Sequence, residues 1–429
     1  MAANSDATGV PHLTTALNSP LGGLESLLLE HQIRIETWFR EQWRKWPAPI
    51  TSSVDLRNAG FKLAPVDTNL FPAGFNNLNR DFLPLCIQAF QASLEKDKPT
   101  CKRVMIIPES HTRNKFYFES LATLHEIISK AGYDVRIGSL SPEITHPHVI
   151  TTADYQFTLE PITRKDNRLS IGDFSPCVII LNNDLSDGIP DLLLNLEQTV
   201  KPSPFLGWSK RLKSQHFSHY QDVAREFSEL IGIDPWLITP EFRVCDNVDF
   251  IKYQGLEELQ HATAEILEMT AKRYREHRIQ HPPFVVIKAD AGTYGMGVIM
   301  VHSAEELAHL NRKKRTHMSV GKGHQPIRRV IIQEGVHSFE TWGKEEAVAE
   351  PVVYMIGQYV VGGFYRVNQQ RGEMENLNAP GMTFEPLAFA SACNNPDRRQ
   401  APNACPNRFY AYGVIARLAN IAAAREASE

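Results

Sequence analysis

Hydrophobic spacing changes character along this chain. Up to about residue 280, helical periodicity alternates with isolated apolar runs; from residue 284 onward short apolar runs dominate. Residues 21–46, LGGLESLLLEHQIRIETWFREQWRKW, place Leu24, Leu27, Leu28, Ile33 and Ile35 at helical spacing, with Pro47 and Pro49 as a stop. The pattern predicts one long first helix. After a helix-like stretch over 80–96, RVMIIPES (103–110) reads as a buried strand, 114–132 as an amphipathic helix closed by Gly132, and YDVRIGSL as a strand. Strand, helix, strand predicts a parallel α/β unit. CVIILNNDLSDG (177–188) repeats the device.

KPSPFLGW (201–208) interrupts the helical patterns with two prolines and a glycine, and the domain boundary is expected there. Residues 1–20 then form a flexible tail, 21–205 an N-terminal α/β domain and 206–429 a second domain. Two helices are predicted near 209–232 and 256–279, then the short strands, then a terminal helix from Arg408. The fold class is α/β.

Composition narrows the functions. The chain has 429 residues and a formal net charge of −4. That charge argues against a general nucleic-acid binder, which needs a basic excess to neutralise phosphates. No apolar run nears the roughly 20 residues of a membrane span, and the N-terminus lacks the build of a signal peptide. Six cysteines occur without a C-x-x-C pair, so reduced thiols and a cytoplasmic setting are expected. Small molecules are the expected partners, and nothing in the sequence specifies an oligomeric state. Residues 311–329 are strongly basic: a solvated loop, a lid over anionic phosphates, or a nucleic-acid patch, the last disfavoured because no aromatics interleave.

The candidate chemistry begins at FVVIKADAGTYGMGVIMV (284–301), where Gly292, Gly295 and Gly297 lie between two apolar runs and Lys288 sits at the loop's mouth. The G-x-x-G-x-G spacing fits neither nucleotide fingerprint that opens a helix, because a strand follows. The unit is a hairpin. A plain hairpin turn remains open as its explanation, but one or two glycines suffice for that; three suit a flap whose backbone N–H groups approach phosphates, with Lys288 as the point charge. RRVIIQEGV (328–336) then runs into Gln333, Glu334, Gly335 and Val336, an apolar slot with backbone donors and acceptors suited to an adenine edge. Farther on, Arg366, Asn368, Glu375, Asn376 and Asn378 cluster, and carboxylate with amide oxygens suits Mg2+. Each alone could be a solvated turn residue.

In this order the parts resemble the ATP-grasp superfamily. More narrowly, DLRNAGFKLAPVDTNLFPAGFNNL (55–78), PESHTRNKFY (108–117), KADAGTYGMGV (288–298), QEGV (333–336) and ENLNAPGM (375–382) resemble the proteobacterial glutamate–cysteine ligase family. The resemblance implies an N-terminal substrate domain followed by an ATP-grasp-like domain, and an enzyme joining L-glutamate to L-cysteine with ATP and Mg2+. It implies that Lys288 and the flap glycines Gly292, Gly295 and Gly297 hold phosphates, with Arg366 as a second catalytic cation. Gln333, Glu334 and Val336 would lie at the nucleotide, and Glu375, Asn376 and Asn378 would furnish metal ligands, with Glu340 or Glu350 as the second acid. The substrate site would draw on Arg57, an arginine fork for an α-carboxylate, and on Asp55 and Asp67 for its ammonium. Asn69 would lie nearby, and Glu109, Arg113 and Asn114 at the carboxyl edge of the parallel sheet. A ligase for another carboxylate and amine, or a nucleotide-binding protein without turnover, are the alternatives.

Overall fold

The structure is a computed structural model, and it describes residues 11–13, 22–110, 114–152, 154–292, 297–321, 326–386, 389–392 and 409–428. In chain order the main elements are α1 (Gly23–Glu30), α2 (Gln32–Lys45), β1 (Thr51–Asn58), β2 (Leu63–Asn69), α3 (Leu83–Asp97), β3 (Arg103–Pro108), α4 (Lys115–Lys130) and β4 (Asp134–Ser139). There follow β5 (His148–Thr151), β6 (Gln156–Pro161), β7 (Val178–Asn182), β8 (Thr199–Lys201), α5 (Lys213–Ile231), β9 (Phe242–Cys245) and α6 (Leu256–Glu276). The last part holds β10 (Val285–Ala289), β11 (Val298–Val301), α7 (Arg312–Ser319), β12 (Val330–Glu334), β13 (Ala347–Ile356), β14 (Tyr359–Asn368), β15 (Met382–Pro386) and α8 (Phe409–Glu426).

Three sheets carry the fold. The first, in order β8-β7-β3-β4-β6-β5, is parallel except at β5, and its central strands are continuous apolar runs because helices and loops cover both faces. The second, β9-β12-β10-β11, is antiparallel and packs one face on α6. The third runs β15-β14-β13-β1-β2. It joins residues 51–69 to residues 347–386, so a sheet runs across the boundary expected near residue 205. Register explains why: Val54 lies opposite Val353, and both are fully buried against α2, α5 and α8. Ala411, Ala416, Ala419 and Ala422 let α8 lie deep in this core.

Three local expectations change. The first helix is two, because the turn tightens at His31, whose N–H reaches the carbonyls of both Leu27 and Leu29. The basic stretch is partly helical: Asn311 caps α7 by accepting from the Lys314 N–H at 2.9 Å, while residues 322–325 lie outside the described residues. Finally, Cys101 and Cys177 form a disulfide rather than standing as free thiols. Their separation of 76 residues hides the pair from any short motif, but β3 and β7 pair in parallel with Val104 opposite Val178, which brings the two preceding loops together.

Candidate active site

A cleft opens where the second sheet faces the third, its envelope of about 790 Å³ including open solvent. Strand alternation builds its walls. In β10, Val285, Ile287 and Ala289 pack on the α6 side, so Val286 and Lys288 point the other way, into the cleft; in β11, Val298 and Met300 do the same while Ile299 and Val301 are buried. This is the predicted hairpin. Gly292 lines the cleft with φ +105°, and Gly297 has φ +64° with a Cβ position only 2.5 Å from Ile327 Cδ1, so neither position tolerates a larger residue without strain. Gly295 lies outside the described residues.

The opposite wall is a ladder of charges on neighbouring strands. Asp55 and Arg57 leave the same face of β1, and Glu350 and Arg366 sit directly across from each other on β13 and β14. Arg366 Nη1 donates to Asp55 at 2.8 Å and lies 3.5 Å from Glu350; Arg57 Nε donates to Glu350 at 2.6 Å. Arg57 also donates to the carbonyls of Val336 (3.1 Å), Glu373 (3.4 Å) and Glu375. Its fork is therefore spent on protein, tying β1 to the chain after β12 and to residues 373–375. Arg57 lines the cleft, where these protein contacts occupy its fork. Arg366 is better placed for an anion, because among the described residues its buried Nε has no hydrogen-bond partner.

Other predicted residues divide in the same way. Asp67, Gln333, Val336, Asn376 and Asn378 line the cleft. Glu334 lines it too, but its carboxylate points into the core and accepts from Lys62 at 2.8 Å, Trp236 Nε1 at 3.1 Å and the Glu241 N–H at 3.0 Å. Glu375 turns outward, accepting from Arg371 at 2.9 Å and from the Gly372 N–H at 2.8 Å. Asn69 closes a turn with Phe71. Asn114 caps α4 by accepting from the Phe116 N–H, and neither it nor Glu109 is on the cleft wall. Arg113 lies outside the described residues. The parallel sheet's carboxyl edge is a separate place, because the cleft is built by the antiparallel sheets. Of the two second-acid candidates, Glu340 is fully buried and accepts from Tyr365 at 2.7 Å, whereas Glu350 lines the cleft.

The family model "Glutamate-cysteine ligase" matches residues 25–427. The chain belongs to the glutamate–cysteine ligase family. A crystal structure from Methylobacillus flagellatus KT, named a putative gamma-glutamylcysteine synthetase, is 55% identical over 98% of this chain and 99% of that one, with a TM-score of 0.85. Two others are far more distant. D-alanyl-alanine synthetase A from Vibrio cholerae (10% identity; 74% of this chain, 81% of that one; TM-score 0.34) and a glutathione synthetase-like effector from Globodera pallida (10%; 85% and 84%; 0.37) carry no argument at that distance. No curated protein matches the chain.

In this glutamate–cysteine ligase family member the charge balance of the cleft centres on Lys288. Its Nζ donates to the Val66 carbonyl at 2.7 Å and to Gln333 Oε1 at 2.6 Å, both neutral; among the described residues no carboxylate lies within ion-pair distance. Desolvation in the cleft wall lowers its pKa to about 8, with Asp67 opposing and Lys213 and Arg57 adding to the fall. Asp67 moves the other way: burial raises its pKa, but Lys213 and then Lys288 more than offset this and leave it below the usual carboxylate value. Lys213, at the first turn of α5, bonds Asp67 at 2.7 Å and stacks 4.1 Å over Trp208. Sequence reading missed it. The available signal was a lysine at a helix start, the end where the helix dipole disfavours cations.

Proposed function

We propose that the cleft binds ATP with a divalent metal beside L-glutamate and joins the γ-carboxylate of glutamate to the amine of L-cysteine, yielding γ-glutamylcysteine, ADP and phosphate. An ATP-dependent ligase of this family needs concentrated positive charge where phosphates sit. The observation that carries the reading is Lys288, a cation on the inner face of a glycine hairpin that among the described residues forms no ion pair with a carboxylate. A terminal phosphate would supply it.

The chemistry follows. A carboxylate oxygen of glutamate attacks the γ-phosphorus, and the bond to the β,γ-bridging oxygen breaks as ADP leaves with the electron pair. The cysteine nitrogen then attacks the acyl carbon, phosphate departs with the former carboxylate oxygen, and the amine loses a proton. Lys288, with Lys213 behind Asp67, offsets charge on the transferring group; Arg366, with its unused Nε donor, suits the substrate carboxylate. Val286, Val298 and Met300 offer an apolar wall for the base, and the hairpin would exclude water from the acyl phosphate. Glu350, Asn376 and Asn378 present hard oxygen donors, a set that fits Mg2+ rather than a thiophilic ion, and the metal would neutralise phosphate charge. ATP dependence also favours a cytoplasmic setting; no described helix is long and apolar enough to cross a membrane.

The test is product identity. With ATP, Mg2+ and glutamate present, amino acids added singly should stimulate phosphate release most strongly with cysteine, and mass spectrometry should find the glutamyl–cysteine dipeptide. Stronger stimulation by another amine would overturn the cysteine assignment.

A further inference from the structure

Beyond the cleft, on the far side of the chain that follows β12, three side chains converge from three separate segments. His337 follows Val336, Glu373 precedes Met374, and His281 lies four residues before β10. Their ligand atoms all lie within 4.8 Å of one another. The arrangement around His337 is specific. Its ring is buried, held edge-on against Phe284 with centroids 5.0 Å apart, and Nε2 lies 3.0 Å from the Pro282 carbonyl. A carbonyl can only accept, so Nε2 carries the proton, and in the neutral ring the lone pair is on Nδ1. Among the described residues that buried Nδ1 makes no hydrogen bond of good geometry, and it sits 3.5 Å from Glu373 Oε1. In the neutral ring two lone pairs therefore face each other, an arrangement that a proton or a metal ion between them would relieve.

We propose that His281, His337 and Glu373 form a second metal site, for a transition-metal ion such as Zn2+. Two imidazoles and one carboxylate with an open fourth position are a recurring zinc donor set, unlike the oxygen donors of the cleft. The Pro282 carbonyl is the outer partner that fixes the ring of a ligating histidine. A tetrahedral ion with bonds near 2.1 Å holds its donors about 3.4 Å apart, so His337 and Glu373 already have the spacing. His281, which is exposed, has to close by no more than about 1.4 Å. Such an ion clips together three segments that frame the cleft: the approach to the glycine hairpin, the exit of β12, and residues 373–378. Arg57 and the Ser338 N–H already bind the Glu373 carbonyl, so the ion would tighten an existing junction.

The experiment titrates the full metal-stripped chain with Co2+ as a visible probe, then with Zn2+ in competition, in excess Mg2+ and without nucleotide. The expected result is one Co2+ per chain with the intense visible bands of a low-coordinate site, displaced by Zn2+. His281→Ala and Glu373→Gln, both on accessible side chains, should each weaken binding by about tenfold or more. No uptake by the wild-type chain, or unchanged affinity in both variants, would overturn the proposal. Because turnover is not read, either outcome leaves the assignment of the cleft to be judged by its own test.

Discussion

Two lysines, from segments 226 residues apart in number but both walled in by the same sheets, have opposite surroundings. Lys62 is 1% exposed, bonds the Glu334 carboxylate at 2.8 Å and lies 4.2 Å over the Trp236 ring. Lys288 meets only neutral oxygens and keeps its remaining surface toward the cleft. Burial pushes both pKa values down; Glu334 opposes the fall at Lys62 through a direct hydrogen bond, whereas at Lys288 Asp67 opposes it only through space and the cations Lys213 and Arg57 add to it. The first lysine completes its charge within the protein. On the function proposed above, the second would take its counter-charge from a bound anion, and that difference would separate a structural cation from a binding one.

The comparison can be broken most forcefully at Lys62. Lys62→Ala strands the buried Glu334 carboxylate and should cost about 3–5 kcal/mol in denaturant unfolding, while pairing Lys62→Met with Glu334→Gln should recover much of it. A variant as stable as the parent would make Lys62 no more structural than Lys288. Lys288→Ala should reverse the pattern: turnover falls on the order of a hundredfold or more, about 3 kcal/mol, with melting unchanged or slightly raised because a half-buried cation without an ion-pair partner is removed. Loss of folding there would erase the distinction.

A pH series sharpens it further. The folded pKa of Lys288, about 8, lies below its ordinary 10.5, so the folded chain releases this proton first. The group's contribution to stability is therefore unfavourable below pH 8 and improves as pH rises from 8 toward 10.5. Nucleotide affinity should move oppositely, falling above pH 8 by up to about tenfold per pH unit as the ammonium is lost. Lys288→Arg, charged throughout, should flatten that limb in calorimetric titrations; an unchanged slope would assign it to another group. The smallest effect is expected at Glu375, whose carboxylate faces Arg371 and Gly372. Glu375→Gln should shift the midpoint of Mg2+ activation by less than about twofold, since such an exposed pair contributes little; a large shift would return that carboxylate to the ligand set.

Legibility in the sequence tracked the range of the interaction. The hairpin was readable because alternation and glycine positions are local: Val286 and Lys288 had to share a face, and Gly297 had to approach Ile327 closely. Glu375 has neighbours, Arg371 and Gly372, that bond its carboxylate within one turn, and their contacts could not be read from residue types alone. Glu109 and Asn114 lie off the cleft wall because two antiparallel sheets make the cleft, not the parallel sheet whose carboxyl edge they follow. Glu350 could not be chosen over Glu340 until β13 was paired with β1 and β14, and Lys213 had no motif at all.

From its residues alone this chain determined its α/β class, most of its helices and strands, the glycine hairpin with its lysine, and the family it resembles, because periodicity and backbone freedom act over a few residues. Tertiary structure decided which charges are balanced. Arg57 finds Glu350 across 293 positions and Lys62 finds Glu334 across 272, while Lys288 finds no acid partner among the described residues. An ion pair depends on distance in space and on the water excluded around it, and neither is written in the spacing of residues along the chain.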